Sequence, residues 1–194
     1  MTPLEQEYCL NLHTGLIENA RQAECEHYDD RDSDDDIDLL VIHNISLPPQ
    51  QFGGPHIDQL FGGCLDPNEH PFFEEIAGIR VSSHLLIRRN GELVQYVPFH
   101  KRAWHAGLSS FDSRDKCNDY SIGIELEGAD EIPYEEIQYQ VLAKITRLLL
   151  KAYPKICSER ITGHSNIAPG RKTDPGPAFD WEFYRGLLSK SLDK

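Results

Sequence analysis

The chain has 194 residues, 39% of them apolar and 26% charged, a size and balance that suit one globular domain and exclude a wholly disordered polymer. Its formal charge is −13, from 32 acids against 19 bases, and no basic stripe offers itself to phosphates, which excludes a sequence-independent nucleic-acid binder. No run approaches the ~18 apolar residues needed to span a bilayer, so neither nucleic acid nor membrane is expected as a partner, and nothing indicates an obligate protein partner.

The first twenty residues carry Glu5 and Glu7, no Lys or Arg and no continuous apolar stretch, so no secretory signal is expected. Five cysteines (Cys9, Cys25, Cys64, Cys117, Cys157) are odd in number and form no CxxC pair. That pattern excludes a zinc ribbon and points to reduced thiols in a cytoplasm.

The acidity is concentrated at the start: residues 1–38 hold twelve acids and two bases, whereas residues 39–194 hold twenty acids and seventeen bases. Residues 1–38 are therefore expected to form an acidic segment, partly helical or loop, with its aspartate-rich part (29–38) a solvated loop. An EF-hand is excluded there by the missing glycine and glutamate at the sixth and twelfth loop positions.

Residues 39–45 (LLVIHNI) follow as a β-rich apolar run, a central strand. From 48 to 78 the chain is dense in Gly, Pro, Asn and His, with a short amphipathic piece at 57–61. A connection this long shapes a site wall. Segments 80–89 and 92–97 flank Asn90-Gly91, a strong hairpin signal, and residues 120–127 (YSIGIELE) alternate cleanly as a third strand. One long helix is predicted over 135–153, with Ile137, Val141, Leu142, Ile145, Leu148 and Leu149 on one stripe and Pro154 stopping it. The Pro/Gly-rich stretch 168–177 reads as a structured loop, followed by a short helix over 180–188. The expected fold class is α/β (α+β mixed), a single central mixed β-sheet flanked by helices, with a domain over 39–188 and a tail over 189–194.

Three places could carry chemistry. In the first strand, period-two alternation puts Val41, His43 and Ile45 on one face; a histidine ending an apolar strand is more often structural than a ligand. His84 invites the same structural reading, and His105 lies with the remaining histidines in polar or irregular surroundings with no i, i+4 helical pair. In the third strand Glu125 and Glu127 share a face, about 6.6 Å apart along the strand, and either one in a pocket could serve as a general base. In the third place, His164 and Asp174 bracket a turn-rich loop short enough to return both to one point, and the restriction before Pro175 limits where Asp174 can wander. His43, His164 and Asp174 would make a three-ligand zinc site with an open position, one of several triples that spacing permits. Lys172 could reach the oxygen of a polarised carbonyl, although a surface lysine is the commoner case.

The strings VIHNISLPP (41–49), FGGP (52–55), LIRRNGELVQYVPFHKRAWHAG (86–107), CNDYSIGIELEG (117–128) and TGHSNIAPGRKTDPGP (162–177) closely resemble the amidase_2 and peptidoglycan-recognition-protein superfamily. Within it they match the branch that cleaves cytoplasmic anhydro-muropeptides. The resemblance runs from about residue 39 to 188 and implies that superfamily's fold. It also implies one Zn2+ per chain held by His43, His164 and Asp174, with Glu125, rather than Glu127, assisting the water and Lys172 stabilising the oxyanion. Many superfamily members carry a cysteine as third ligand and a tyrosine before the second-strand histidine. Here Asp174 and Ser83 stand at those positions, as in the anhydro-muropeptide branch.

The implied reaction is hydrolysis of the amide between the lactyl group of 1,6-anhydro-N-acetylmuramic acid and L-alanine during peptidoglycan recycling. For recognition, the resemblance favours Asn44, Arg80, Trp104 and Lys116, with Trp104 as a platform for the sugar and the cations for stem-peptide carboxylates; Arg102 is a further cation to consider. Two competitors remain. A non-catalytic muropeptide-binding module would lack a zinc ligand, and a metal-independent glycosidase would use Glu125 and Glu127 as its carboxylate pair.

Overall fold

A computed structural model describes residue 3, residues 5–33 and residues 37–189. The middle of the expected aspartate-rich loop (34–36) and the tail from residue 190 onward lie outside the described residues.

In chain order the elements begin with β1 (Cys9–Asn11), β2 (Leu16–Glu18), β3 (Arg21–Gln22), β4 (Tyr28–Asp30) and β5 (Leu39–Ile45). Next come α1 (His56–Phe61), α2 (Pro71–Glu75), β6 (Leu85–Ile87), β7 (Leu93–Gln95), β8 (Lys101–Ala103), β9 (Ser110–Phe111), β10 (Arg114–Asp115) and β11 (Ser121–Glu127). The chain ends with α3 (Glu136–Ala152), β12 (Ile161–Gly163), α4 (His164–Ile167) and α5 (Trp181–Ser189). Six strands form one mixed sheet in the order β12-β5-β11-β6-β7-β3. β12, β5, β11 and β6 run parallel, and β7 turns back against β6.

The two longest strands owe their central position to their composition. Every residue of β11 is buried, as is β5 up to His43, the near-continuous apolar run expected of a parallel sheet covered on both faces. On one face Leu40, Ile42, Ile122, Ile124 and Leu126 pack against Val141, Leu142, Ile145 and Leu149 of α3. Ile137 and Leu148 complete that stripe, half-buried against the same core. Gln138 ties α3 to the sheet, its amide donating to the carbonyls of Ile87 and Glu127 at 3.1 Å each. On the opposite face Leu39 and Val41 meet Ala106, Cys117, Tyr120 and Ile167. Beyond them α1 and α2 cover Leu86 and Val94 with Ile57, Leu60, Phe61 and Phe73.

Three details depart from the sequence reading. The Asn90-Gly91 hairpin pairs Ile87 with Leu93, leaving a connection over 88–92. Only Gly91 in it takes positive φ, so this is not the two-residue type I′ turn, which needs positive φ at both central residues. The paired strands are three residues each, although His84 just before them still donates to Gly123 O at 3.2 Å and accepts from Tyr96 N at 3.0 Å. Within the Gly/Pro-dense stretch, α2 forms where His70 caps it by accepting from the Phe72 N–H at 3.1 Å, with Pro71 in the first turn.

The acidic first segment holds no helix among its described residues. It forms short strands, and Ile17 is fully buried in the main core. Its β3 pairs in parallel with β7 at the sheet edge. Arg31 is also buried: Nε donates to Phe99 O (3.0 Å), Nη1 to Asn118 O and Asp119 O (3.0 Å each), and Nη2 to Ser121 O (2.6 Å). Replacing it leaves buried carbonyls without donors. Arg31→Met is therefore expected to cost about 3–5 kcal/mol, the scale of breaking a buried charged network, measurable by urea unfolding. A change below about 0.5 kcal/mol, ordinary for a surface site, would contradict the integration of this segment.

Candidate active site

Parallel register decides which side chains meet. β11 pairs with β5 so that Glu125 lies beside His43, both on the face away from α3. β12 pairs on the other edge of β5 and ends at Gly163, after which His164 opens α4. The sequence needs glycine there: a Cβ on Gly163 would lie 2.8 Å from Cδ of Pro175. The absence of that carbon lets the 168–177 loop fold back and deliver Asp174. Asn44 holds the returning loop, its amide donating to Pro175 O (3.1 Å) and to Asp130 Oδ1 (2.8 Å). Arg171 fastens the same loop on its far side, donating to Ala106 O and Leu108 O at 2.6 Å each.

His43 Nδ1, His164 Nδ1 and Asp174 Oδ2 form a triangle with edges of 3.0 Å. They are the one group of three or more such side chains among the described residues placed to hold a metal ion. Each atom brings a lone pair toward the same point, an arrangement that persists only around a shared proton or a cation. Zinc bonds of about 2.0–2.2 Å in tetrahedral geometry place ligand atoms roughly 3.3 Å apart, so the triangle has the size and donor chemistry for zinc. Burial pushes the His43 imidazole down to about pKa 4, which keeps it neutral as a ligand must be. Burial opposes ionisation of Asp174, but hydrogen bonds and charge from His164 and His43 outweigh it and hold the carboxyl below its ordinary range.

Glu125 is 8% exposed, and its Oε2 is buried with no hydrogen-bond partner among the described residues. Burial first, then the nearby Asp174 charge, raises its pKa well above the ordinary glutamate value, while Lys172 pulls it back. Glu127, on the same strand face, is fully engaged. Its oxygens accept from Gly53 N (2.6 Å), Arg89 N (3.1 Å) and Arg88 Nη1 (3.3 Å). A carboxylate so neutralised is unavailable as the second acid of a glycosidase pair. The structure itself thus separates two glutamates that alternation left equivalent.

Lys172 is exposed on the loop between Arg171 and Asp174. Arg80 and Trp104 line a cleft of about 390 Å³ with His27, Leu65, Phe73 and Ile79, its far wall built by the long 48–78 connection. The Trp104 Nε1 is buried without a hydrogen-bond partner among the described residues, and the ring stacks on His27 at 6.0 Å. Lys116 is exposed and lines a different depression with Ser109, Pro169 and Arg171. Arg102 is occupied by Asp29 and Asp119.

Sequence reasoning missed a set of groups behind the triangle. His105 Nδ1 lies 2.9 Å from His43 Nε2, and Ala106 O lies 3.1 Å from His164 Nε2. Burial holds the His105 and His84 imidazoles well below their usual pKa. Nothing in the spacing distinguishes His105 from a structural histidine; its inclusion in the WHAG end of a family-like string is the only signal it carried.

Comparison with known proteins gives the family. The family model for Amidase_2, N-acetylmuramoyl-L-alanine amidase, matches residues 33–177. The chain is 60% identical to the 1,6-anhydro-N-acetylmuramyl-L-alanine amidase AmpD of Escherichia coli K12 over 179 residues, covering 92% of this chain and 97% of that one. It is 59% identical to AmpD of Salmonella typhimurium LT2 over 180 residues, covering 93% and 96%. A crystal structure of a selenomethionine AmpD derivative superimposes with a TM-score of 0.88 at 58% identity, covering 92% of this chain and 98% of that one. The amidase AmiD of E. coli, solved with the substrate anhydro-N-acetylmuramic acid-L-Ala-D-γ-Glu-L-Lys, aligns with a TM-score of 0.56 at 31% identity, covering 78% and 57%. By sequence model, relatives and fold together, the chain belongs to the Amidase_2 family of N-acetylmuramoyl-L-alanine amidases.

Proposed function

We propose that this protein is a zinc-dependent amidase that hydrolyses the bond between the lactyl group of 1,6-anhydro-N-acetylmuramic acid and L-alanine, acting on cytoplasmic anhydro-muropeptides in cell-wall recycling. The observation that carries the reading is the convergence of His43, His164 and Asp174 to 3.0 Å beside a buried carboxyl, Glu125, with one free oxygen, in a chain 60% identical to AmpD. These three side chains would hold the metal. A zinc ion bound there supplies Lewis acidity, polarising the scissile carbonyl and acidifying water.

Glu125 takes the proton of the attacking water on its unpartnered Oε2 and returns it to the leaving amine of L-alanine. Its raised pKa suits that exchange, because a carboxyl of ordinary acidity holds a proton too weakly to deliver it near neutrality. Lys172 places an ammonium at the mouth of the site for the charge developing on the carbonyl oxygen. The cleft containing Trp104 and Arg80 begins one residue from His105. It would lay the sugar or stem against the indole and pair a stem carboxylate with the guanidinium. Asn44 acts on the substrate side only through the loop it holds, donating to Pro175 O and Asp130 Oδ1, and Lys116, in a separate depression with Ser109 and Arg171, would meet a stem carboxylate only at a distance from the triangle.

Incubating the protein with anhydro-muropeptide, with and without chelator, and weighing the products tests the reaction. The expected products are the anhydro-muramoyl sugar and the free stem peptide, with release abolished by chelator; metal-independent release or cleavage between sugars would contradict it. His164→Ala should lose bound zinc. Lys172→Ala should keep zinc while turnover falls ~10²–10³-fold, as for a lost oxyanion donor.

Glu125→Gln should be inactive yet more stable. The folded-state pKa of Glu125 is raised, so its contribution to stability is complete below the unfolded value near pH 4.3 and is lost as pH rises toward the folded value. In chelator-treated protein the melting temperature of Glu125→Gln should match wild type near pH 4 and exceed it by several degrees at pH 7, about 2–4 °C per kcal/mol for a chain of this size. Equal melting temperatures at both pH values would contradict the assignment of a strained, buried carboxyl.

A further inference from the structure

Behind the metal triangle runs a chain of hydrogen bonds whose proton positions are dictated from one end. The carbonyl of Cys117 can only accept, so the Ser121 hydroxyl donates its one proton there, at 2.6 Å. The Ser121 oxygen also lies 3.1 Å from His105 Nε2; its proton is already committed, so His105 Nε2–H must be the donor. A neutral His105 ring then has a lone pair on Nδ1. The 2.9 Å contact to His43 Nε2 therefore takes its proton from His43. With the proton on Nε2, His43 presents a bare Nδ1 to the triangle.

His164 reaches the same state by a different partner. Its Nε2 lies 3.1 Å from the carbonyl of Ala106, which can only accept, and 3.4 Å from Arg171 Nη2, which can only donate but is engaged at 2.6 Å by that same carbonyl; the shorter contact puts the proton on Nε2 and leaves Nδ1 bare. The two partners are consecutive residues, His105 and Ala106, and both their backbone N–H groups donate to one buried acceptor, Asn118 Oδ1, at 3.1 and 2.7 Å. Gly123 leaves room for the arrangement: a Cβ there would come within 2.5 Å of His105 Cγ.

We propose that His105, backed by Ser121, and the Ala106 carbonyl form one positioning device, pinned by Asn118, that fixes both metal-binding imidazoles as Nε2–H tautomers with Nδ1 aimed at the metal. His105 is a positioning residue; it acts through His43. The proposal rests on the zinc reading only for what the freed lone pairs bind. A bare imidazole nitrogen held in place binds a cation without first losing a proton or selecting a rotamer, and partners of this kind are worth about 10–100-fold in metal affinity.

The test combines zinc titration against a competing chelator with long-range ¹H–¹⁵N spectra of the histidine rings, on metal-free and zinc-loaded protein. In wild type the spectra should show His43 and His164 protonated on Nε2, with zinc perturbing Nδ1. His105→Leu, which keeps the bulk and removes the acceptor, should bind zinc about 10–100-fold more weakly. His105→Gln restores an acceptor and a donor and should recover part of that loss. Ser121→Ala should weaken zinc binding and broaden or shift the His43 ring signals.

Zinc bound through Nε2 of His43, a proton found on its Nδ1, or His105→Leu binding zinc within about twofold of wild type would overturn the proposal. The wild-type spectra decide the matter even if His105→Leu does not fold. If wild type shows the Nε2–H tautomers yet takes up no zinc, the metal reading fails while the positioning device stands.

Discussion

The structure depends on three lone-pair donors being forced together with two of them, His43 and His164, buried. His43, His164 and Asp174 come from a strand, the first turn of a short helix and a loop, 121 and 131 positions apart from His43 in sequence. Nothing local draws them together. The parallel pairing of β5 with β11 and β12 does, with apolar residues on the α3 face fixing the register. A slip of one residue in β5 would turn His43 into the α3 core and bring Ile42 or Asn44 to the site. The hydrophobic pattern that folds the sheet thus also aims the face that carries His43 and Glu125.

Concentrating neutral imidazoles and a free carboxyl behind that triangle has a cost. His43, His84, His105 and Glu125 are all buried and held toward their uncharged forms. The scaffold offsets this with polar groups dedicated to them: the Asn118 amide oxygen, the Ser121 hydroxyl and the Gly123 N–H donating to His84 Nδ1 at 3.0 Å. Arg31 reaches from the acidic first segment to clamp the carbonyls that border the cluster. Glu127 shows the contrast. Given Arg88 and two backbone donors, the same side chain on the same strand becomes structural.

Much of this was legible in the residues themselves. The apolar run 39–45, the alternation of 120–127 and the stripe from Ile137 to Leu149 each specified an element, because burial imposes a period on the sequence. The metal triple was legible only as one candidate among several, since spacing cannot say which loop returns to which strand; resemblance to a family singled it out. The short strands of the first segment were not legible, because strands of two or three residues are too short to show a period, and charge hid the buried Ile17 and Ile37. The helix at Pro71–Glu75 was signalled by a capping residue followed by proline, but the surrounding glycines masked it. His105 was invisible for a different reason: its proposed role lies in the direction of a proton, which depends on Ser121 and Cys117 and on no pattern in the irregular stretch after β8 where it sits.

The most direct test is a crystal structure of zinc-supplemented protein with anomalous scattering recorded on both sides of the zinc edge. The account predicts one strong peak per chain, bonded to Nδ1 of His43, Nδ1 of His164 and an oxygen of Asp174, with an open position facing Glu125. No peak at that point, or a zinc held by other side chains while these three keep their present contacts, would contradict it.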